Sequence, residues 1–304
     1  VKWRWSRASN PAADTGWTGA TPRKGFFTDS SVCIGCKACE VACKEWNGIP
    51  EDGLELLGMS YDNTGALGAS TWRHVAFIEQ PRRPVARDGL TPLPIVAATS
   101  GQNSAPAGET GIRWLMSSDV CKHCTHAACL DVCPTGALMR TEFGTVVVQD
   151  DVCNGCGYCI PACPFGVIDR RRGPPGTRNV GIAQKCTLCY DRLGDGLTPA
   201  CSQACPTQSI QFGDLDELRI RAQRRVEDLR ESGVTDARLY GADPDDGIGG
   251  AGAFFLLLDE PEVYGLPPDP VVTTRDLPAM WRTAALAGAT LLAGAAAAFM
   301  RARS

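Results

Sequence analysis

Three observations predict an α+β chain of two nested modules followed by a single C-terminal transmembrane helix. Sixteen cysteines fall into four groups of four. Short β-branched runs and one amphipathic helical segment lie around and behind these groups. Eighteen residues near the C-terminus, Thr283 to Met300, carry no charge. The length of 304 residues suggests about two domains. Hydrophobic residues at 44% and charged residues at 21% are the composition of a folded protein. The net charge of -4 leaves none of the basic excess that nucleic-acid binders gather on one face, so no nucleic-acid partner is expected.

The cysteine groups come first in chain order. They are Cys33-x2-Cys36-x2-Cys39-x3-Cys43; Cys121-x2-Cys124-x4-Cys129-x3-Cys133; Cys153-x2-Cys156-x2-Cys159-x3-Cys163; and Cys186-x2-Cys189 with Cys201-x3-Cys205 eleven residues further on. Disulfides do not suit triplets this dense, because a bridge needs a specific Cα separation. Structural zinc takes four tetrahedral ligands, usually as two Cys-x2-Cys pairs, and only the fourth group taken alone reads that way. A triplet followed by a cysteine three residues later supplies three ligands from one loop and sends the fourth elsewhere. That is the bacterial ferredoxin pattern, which the third group follows together with its Pro164. Four 4Fe-4S clusters, held through iron by all sixteen thiols, are the expectation.

In such runs the fourth cysteine ligates the other cluster of its pair. The central groups then pair as Cys121, Cys124, Cys129 and Cys163 for one cluster and Cys153, Cys156, Cys159 and Cys133 for the next. The flanking groups pair as Cys33, Cys36, Cys39 and Cys205, and as Cys186, Cys189, Cys201 and Cys43. Two ferredoxin-like dicluster modules follow, one inside the other. The outer spans 26–80 and 180–215, and the inner 112–179. Residues 1–25 form an N-terminal extension, 81–111 a proline-rich excursion, 216–275 a helix and connecting segment, and 276–304 the anchor.

The surroundings fit these modules. Glycines 35, 155 and 157 sit between ligands, where close approach and positive φ favour glycine. Pro134, Pro164 and Pro206 end ligand loops, and Gly144 to Val148 reads as a short strand. Lys37, Lys122 and Lys185 lie beside ligands, where they either raise cluster potentials or sit as solvated surface charges. His74, His123 and His126 are not needed as ligands beside sixteen thiols. The excursion carries Pro81, Pro84, Pro92, Pro94 and Pro106, and reads as a docking surface or as a loop of no consequence. Asp214-Leu-Asp-Glu217 opens a helix as a capping-box variant, Leu215, Leu218, Ala222, Val226 and Leu229 give it an apolar face, and Gly233 stops it. Arginines 219, 221, 224, 225 and 230 on it, and 238 just beyond, read as a solvated face.

At about 1.5 Å per residue, the uncharged stretch makes a helix roughly 27 Å long, close to the roughly 30 Å hydrocarbon core. Trp281 and Arg282 mark one interface, Arg301 and Arg303 the other. Ala285, Ala289, Ala293 and Ala297 form a small-residue stripe suited to close approach of a partner helix. A buried soluble helix is the alternative for this alanine-rich segment. The first residues, Val1 to Arg7, carry three basic side chains with no apolar core behind them, so no secretory signal is read there.

Several of these blocks carry a family resemblance. Cys33-Ile-Gly-Cys-Lys-Ala-Cys-Glu-Val-Ala-Cys-Lys-Glu-Trp-Asn47 resembles the first motif of the beta, iron-sulfur subunit of membrane-bound formate dehydrogenases. Asn154-Gly-Cys-Gly-Tyr-Cys-Ile-Pro-Ala-Cys-Pro-Phe165, Lys185-Cys-Thr-Leu-Cys-Tyr-Asp-Arg192 and Tyr264-Gly-Leu-Pro-Pro-Asp-Pro270 are similar to its later blocks. The cysteine pattern alone is shared with electron-transfer subunits of many molybdopterin oxidoreductases and with a hydrogenase subunit. The resemblance implies an electron-transfer subunit that carries no catalytic residues and does not bind formate itself. It implies a molybdopterin catalytic subunit holding molybdenum or tungsten as one partner and a membrane cytochrome b as the other, with quinone beyond. It also implies an extracytoplasmic cluster domain exported by the twin-arginine signal of the catalytic subunit, the cytoplasmic side being the alternative. The runner-up is the same wire serving another molybdopterin oxidoreductase or a hydrogenase. A zinc-built interaction platform is the reading from a different class.

Overall fold

The structure, a computed structural model, describes residues 10–19, 21–53, 57–58, 61–62, 64–81 and 112–303. The proline-rich excursion beyond Pro81 lies outside the described residues. In chain order, β1 (Lys24–Asp29) leads to α1 (Ala38–Asn47), and β2 (Arg73–Pro81) pairs antiparallel with β3 (Ile112–Val120). Short elements follow: α2 (Ala128–Asp131), β4 (Leu138–Arg140), β5 (Val146–Val148), α3 (Cys159–Ala162), β6 (Asp169–Arg170), β7 (Ala183–Gln184), α4 (Tyr190–Gly194) and α5 (Ala200–Gln203). The chain closes with β8 (Ile210–Asp214), α6 (Leu215–Glu231), β9 (Arg238–Tyr240), β10 (Ala253–Leu257) and α7 (Leu277–Arg303). β5 lies within the run read as a strand, and pairs with β4.

One four-stranded sheet, in the order β8-β1-β10-β9, organises the core. Its central strands β1 and β10 run parallel, as strands covered on both faces do. Side chains alternate across them, so neighbouring phenylalanines enter different cores. Phe27 and Phe254 stack at 5.3 Å on the α6 side, among Leu215, Leu218, Ala222, Val226 and Leu229. Phe26 and Phe255 face the opposite way, into a core that includes Cys39, Cys43, Cys121, Cys186 and Cys201. Five buried thiols therefore pack on the face opposite α6, while Ala128 and Cys124 of the second group reach the α6 core. A smaller core around Ala127, Leu138, Val146, Cys159, Ile168 and Ala183 completes the centre of the chain.

The five apolar residues expected on α6 are all buried, and Gly233 takes φ 95° just past its end. Asp214 does not cap the helix through its side chain. It is also the last residue of β8, opposite Lys24 in the antiparallel ladder, and the cross-strand ion pair with Lys24 takes its carboxylate. The arginines are not uniformly solvated: Arg219 is buried next to Asp216, and Arg225 reaches Asp29 and Ser31. Ahead of β1, Arg23 is buried and donates to His123 O and Thr125 Oγ1, both at 2.7 Å.

Within α7, Ala279–Arg301 is long and apolar enough to cross a membrane, and none of its most apolar stretch is buried in the fold. The buried-helix alternative finds no covering surface among the described residues. Burial of this surface has to come from outside the described chain.

Candidate electron-transfer site

The fold gathers the sixteen thiols, all free, into four neighbourhoods. Cys33, Cys36, Cys39 and Cys205 line one cavity, together with Ser118, Thr207 and Ser209. Cys121, Cys124, Cys129 and Cys163 line a second, with Lys122, His123 and Lys185. Cys43 is buried, and its neighbours Cys186, Cys201 and Cys189 add to that burial in pushing its thiol well up. Cys159 is raised to about 11 by burial, with Cys153, Cys156 and Cys133 as its thiol neighbours. Two of the sets grouped by the pairing rule thus line a cavity each.

Helical geometry explains how neighbours in sequence come to face different groups. Cys39 and Cys43 both stand on α1, four residues apart, which is about 6 Å along a helix axis. Cys39 looks into the cavity shared with Cys205, while Cys43 looks towards Cys186 and Cys201. α5 (Ala200–Gln203), α2 and α3 carry Cys201, Cys129 and Cys159 in the same way.

Tight turns hold these helices in place. Gly136 N–H donates to Cys133 O, Gly166 N–H to Cys163 O and Gln208 N–H to Cys205 O, each closing a turn with proline in second position. Gly35 has φ 65°, and a Cβ there would sit 2.6 Å from the Phe77 ring. Gly155 has φ 71°, and a Cβ would meet Gly181 O at 2.5 Å. Side chains at either position would force the ligand loop apart.

The donor set fits iron-sulfur clusters. Backbone N–H groups of Leu138, Thr135 and Ala137 face Cys133 and, against partial burial, lower its pKa, as a sulfur ligand carrying negative charge requires. His123 is buried on the wall of the Cys121 cavity. Burial and the nearby Lys185, Arg23 and Arg140 keep it neutral, and its Nδ1 accepts from Val146 N–H at 3.1 Å, so Nε2 carries the proton. That Nε2 has no partner among the described residues, leaving a donor on the wall of the thiol-lined cavity. No group of three or more His, Cys, Asp or Glu side chains among the described residues is set to hold a single metal ion.

Of the flanking lysines, Lys122 and Lys185 are buried, so the reading of them as surface charges fails. Lys122 pairs with Asp119 and lies over the Phe255 and Phe165 rings at 4.9 and 5.1 Å; Lys185 donates to Val146 O and Cys186 O. Lys37 pairs with Glu40 at 3.5 Å and Asp62 at 3.4 Å. His74 belongs to that polar group, 3.3 Å from Asp62. Two residues that sequence reasoning passed over also reach thiols. Arg73 Nη2 lies 3.3 Å from Cys201 Sγ, and Ser118 Oγ 3.3 Å from Cys39 Sγ. No spacing signal marks them, because they sit on β2 and β3 outside every cysteine group.

Two family models, each described as a 4Fe-4S dicluster domain, match residues 112–215 and 32–137. The formate dehydrogenase iron-sulfur subunit of Haemophilus influenzae is 39% identical over 251 residues, covering 80% of this chain and 68% of that protein. The chain belongs to the formate dehydrogenase iron-sulfur subunit family. The formate dehydrogenase-O iron-sulfur subunit of Escherichia coli is 35% identical over 289 residues, covering 91% of this chain and 84% of its own. A subunit of the anaerobic dimethyl sulfoxide reductase of Escherichia coli is 32% identical over 199 residues, 66% of this chain and 77% of that protein. This iron-sulfur subunit carries four 4Fe-4S clusters in two ferredoxin-like dicluster domains and transfers electrons. Its C-terminal helix is a candidate membrane anchor.

Proposed function

We propose that this subunit conducts electrons from a molybdopterin subunit that oxidises formate, with molybdenum or tungsten, to a membrane cytochrome b and then quinone. Bound clusters supply one-electron carriers at fixed positions; the protein supplies ligands, spacing and exclusion of water. The ligand sets are Cys33, Cys36, Cys39 and Cys205; Cys43, Cys186, Cys189 and Cys201; Cys121, Cys124, Cys129 and Cys163; and Cys133, Cys153, Cys156 and Cys159. They belong to an outer module, 26–80 with 180–215, and an inner one, 112–179. Formate does not bind this chain.

One observation carries the reading: the thiols form an unbroken row of neighbours with an exposed cysteine at each end. Cys39 neighbours Cys201, Cys186 neighbours Cys121, and Cys129 neighbours Cys159, which links the four sets in the order just given. Cys36 is exposed in the first set and Cys156 in the last. The inner module, whose last set holds Cys156, carries the membrane side, a reading supported by the bond from Thr274, just before α7, to Asp131 between Cys129 and Cys133. Electrons then enter near Cys36 and leave near Cys156, on the extracytoplasmic face of the membrane.

The test is purification of the intact complex with identification of its partners by mass spectrometry. A formate-oxidising molybdopterin subunit and a cytochrome b are the expected companions. The relatedness to the dimethyl sulfoxide reductase subunit supports a second reading, the same wire serving another molybdopterin oxidoreductase, and a different catalytic companion in that preparation selects it. Protease protection in oriented vesicles checks the side: the cluster domain should be cleaved only from the extracytoplasmic face.

A further inference from the structure

Arg73 is 1% exposed, which makes it one of the largest fully buried side chains of the protein. A buried charge is expensive unless something compensates it. The guanidinium donates to Ser118 O at 3.2 Å, to Ser118 Oγ at 3.3 Å and to Cys201 Sγ at 3.3 Å, and it lies 4.9 Å from the centre of the Phe26 ring. Burial works against its charge, and the groups that sustain it are sulfurs: Cys201, Cys39, Cys186 and Cys43. Cys39 belongs to the Cys33 set, and the other three to the Cys186 set. Ser118 extends the link, its Oγ lying 3.3 Å from Cys39 Sγ. One fixed cation therefore stands between the first two thiol sets and bonds towards both.

We propose that Arg73 is a positioning residue for electron transfer, whose charge between the Cys33 and Cys186 sets raises the reduction potentials of those two clusters and not of the other two. The inference rests on the ligand sets proposed above. Reduction adds one electron, and so one negative charge, to a cluster and its thiolates; no bond is made or broken and no proton need move. Arginine stays charged throughout. Inside a poorly polarisable core its attraction for the reduced form is far less screened than in water. Hydrogen bonds to cluster sulfurs act in the same direction. Because the guanidinium is shared, it lifts both carriers together relative to the other two. The Cys121 set has cations of its own on its cavity wall, Lys122 and Lys185.

The experiment is redox potentiometry with EPR detection on the intact complex, comparing the parent with Arg73→Gln and Arg73→Lys, and with signals assigned through single Cys→Ser variants. Arg73→Gln is expected to lower two of the four potentials, those of the Cys33 and Cys186 sets, and Arg73→Lys to lower the same two by less. Unchanged potentials, or an equal shift in all four, overturn the proposal. If Arg73→Gln does not retain its clusters, Ser118→Ala provides the test. It removes the hydroxyl facing Cys39 and should lower the Cys33-set potential alone; no shift there, or an equal shift in the Cys186 set, overturns the proposal. Cys43→Ser checks the ligand sets separately. If it costs the Cys186-set signal while Arg73→Gln moves neither potential, the sets stand and the tuning role falls.

Discussion

The two faces of the central sheet are built from the same strands, β1 and β10, and close in different ways. On one face Phe27, Phe254 and the apolar stripe of α6 make a core that is hydrocarbon except for Cys124 at its margin. On the other, Phe26 and Phe255 meet a core in which cysteines take positions that leucine or valine would fill elsewhere. Burial of a large apolar side chain contributes about 1.5–3 kcal/mol. Thiols lining a cavity gain little of this by themselves, so the bound cluster has to complete that half of the core. Cofactor and core are one object on the thiol face and meet at the margin, at Cys124, on the α6 face.

The largest expected effect that separates the faces is iron removal. A preparation with about sixteen irons per chain, four for each cluster, should lose amide protection in the cysteine-bearing loops when chelated, while α6 and β10 stay protected against hydrogen exchange. Uniform loss across the chain would show that the two faces do not fold independently.

The pH response should separate them next. Burial raises the thiols of Cys39 and Cys189 to about 11 and Cys129 to about 12 in the unloaded fold, from an ordinary 9.0. An acid whose folded pKa is raised supports the unloaded fold below the unfolded pKa, and that support fades as pH rises through the folded value. Cluster ligation needs thiolates, so loading runs the opposite way and releases protons. Anaerobic reconstitution should be more complete at pH 9 than at pH 7. A flat or inverted profile would contradict the burial assigned to these thiols.

A cavity on the α6 face sharpens the contrast from the other side. Leu218→Ala should cost about 2–5 kcal/mol in thermal or denaturant stability, because Leu218 is 2% exposed and packs in the α6 core. Iron content and EPR spectra should not change. The smallest effect on the clusters belongs to α7. Replacing Ala289 and Ala293 with leucine raises hydrophobicity, so a simple lipid tether should hold as well as before, whereas a close-packed helix interface should shed its membrane partner with all clusters retained. Co-purification of that partner distinguishes the two.

Features written in local spacing were legible. The cysteine triplets, the α6 stripe from Leu215 to Leu229 and the uncharged run before Met300 each depend on residues a few positions apart. What could not be read depends on distant pairing. β1 and β10 are parallel neighbours although Phe26 and its partner Ala253 are far apart in sequence, and neither strand announces the other. The same holds for Arg73, whose role arises only when β2 and β3 bring it and Ser118 to the thiols. Lys122 and Lys185 had two readings because burial is a tertiary property. Asp214 had a plausible local use as a cap, and Lys24 across the sheet took it instead.

The central claim is that a single helical turn of α1 delivers ligands to two different clusters. Iron analysis and EPR of Cys43→Ser test it most directly. The account predicts damage to the cluster of Cys186, Cys189 and Cys201, with the signal of Cys33, Cys36, Cys39 and Cys205 preserved. Loss of the Cys33-set signal alone, with the Cys186-set signal intact, would contradict it.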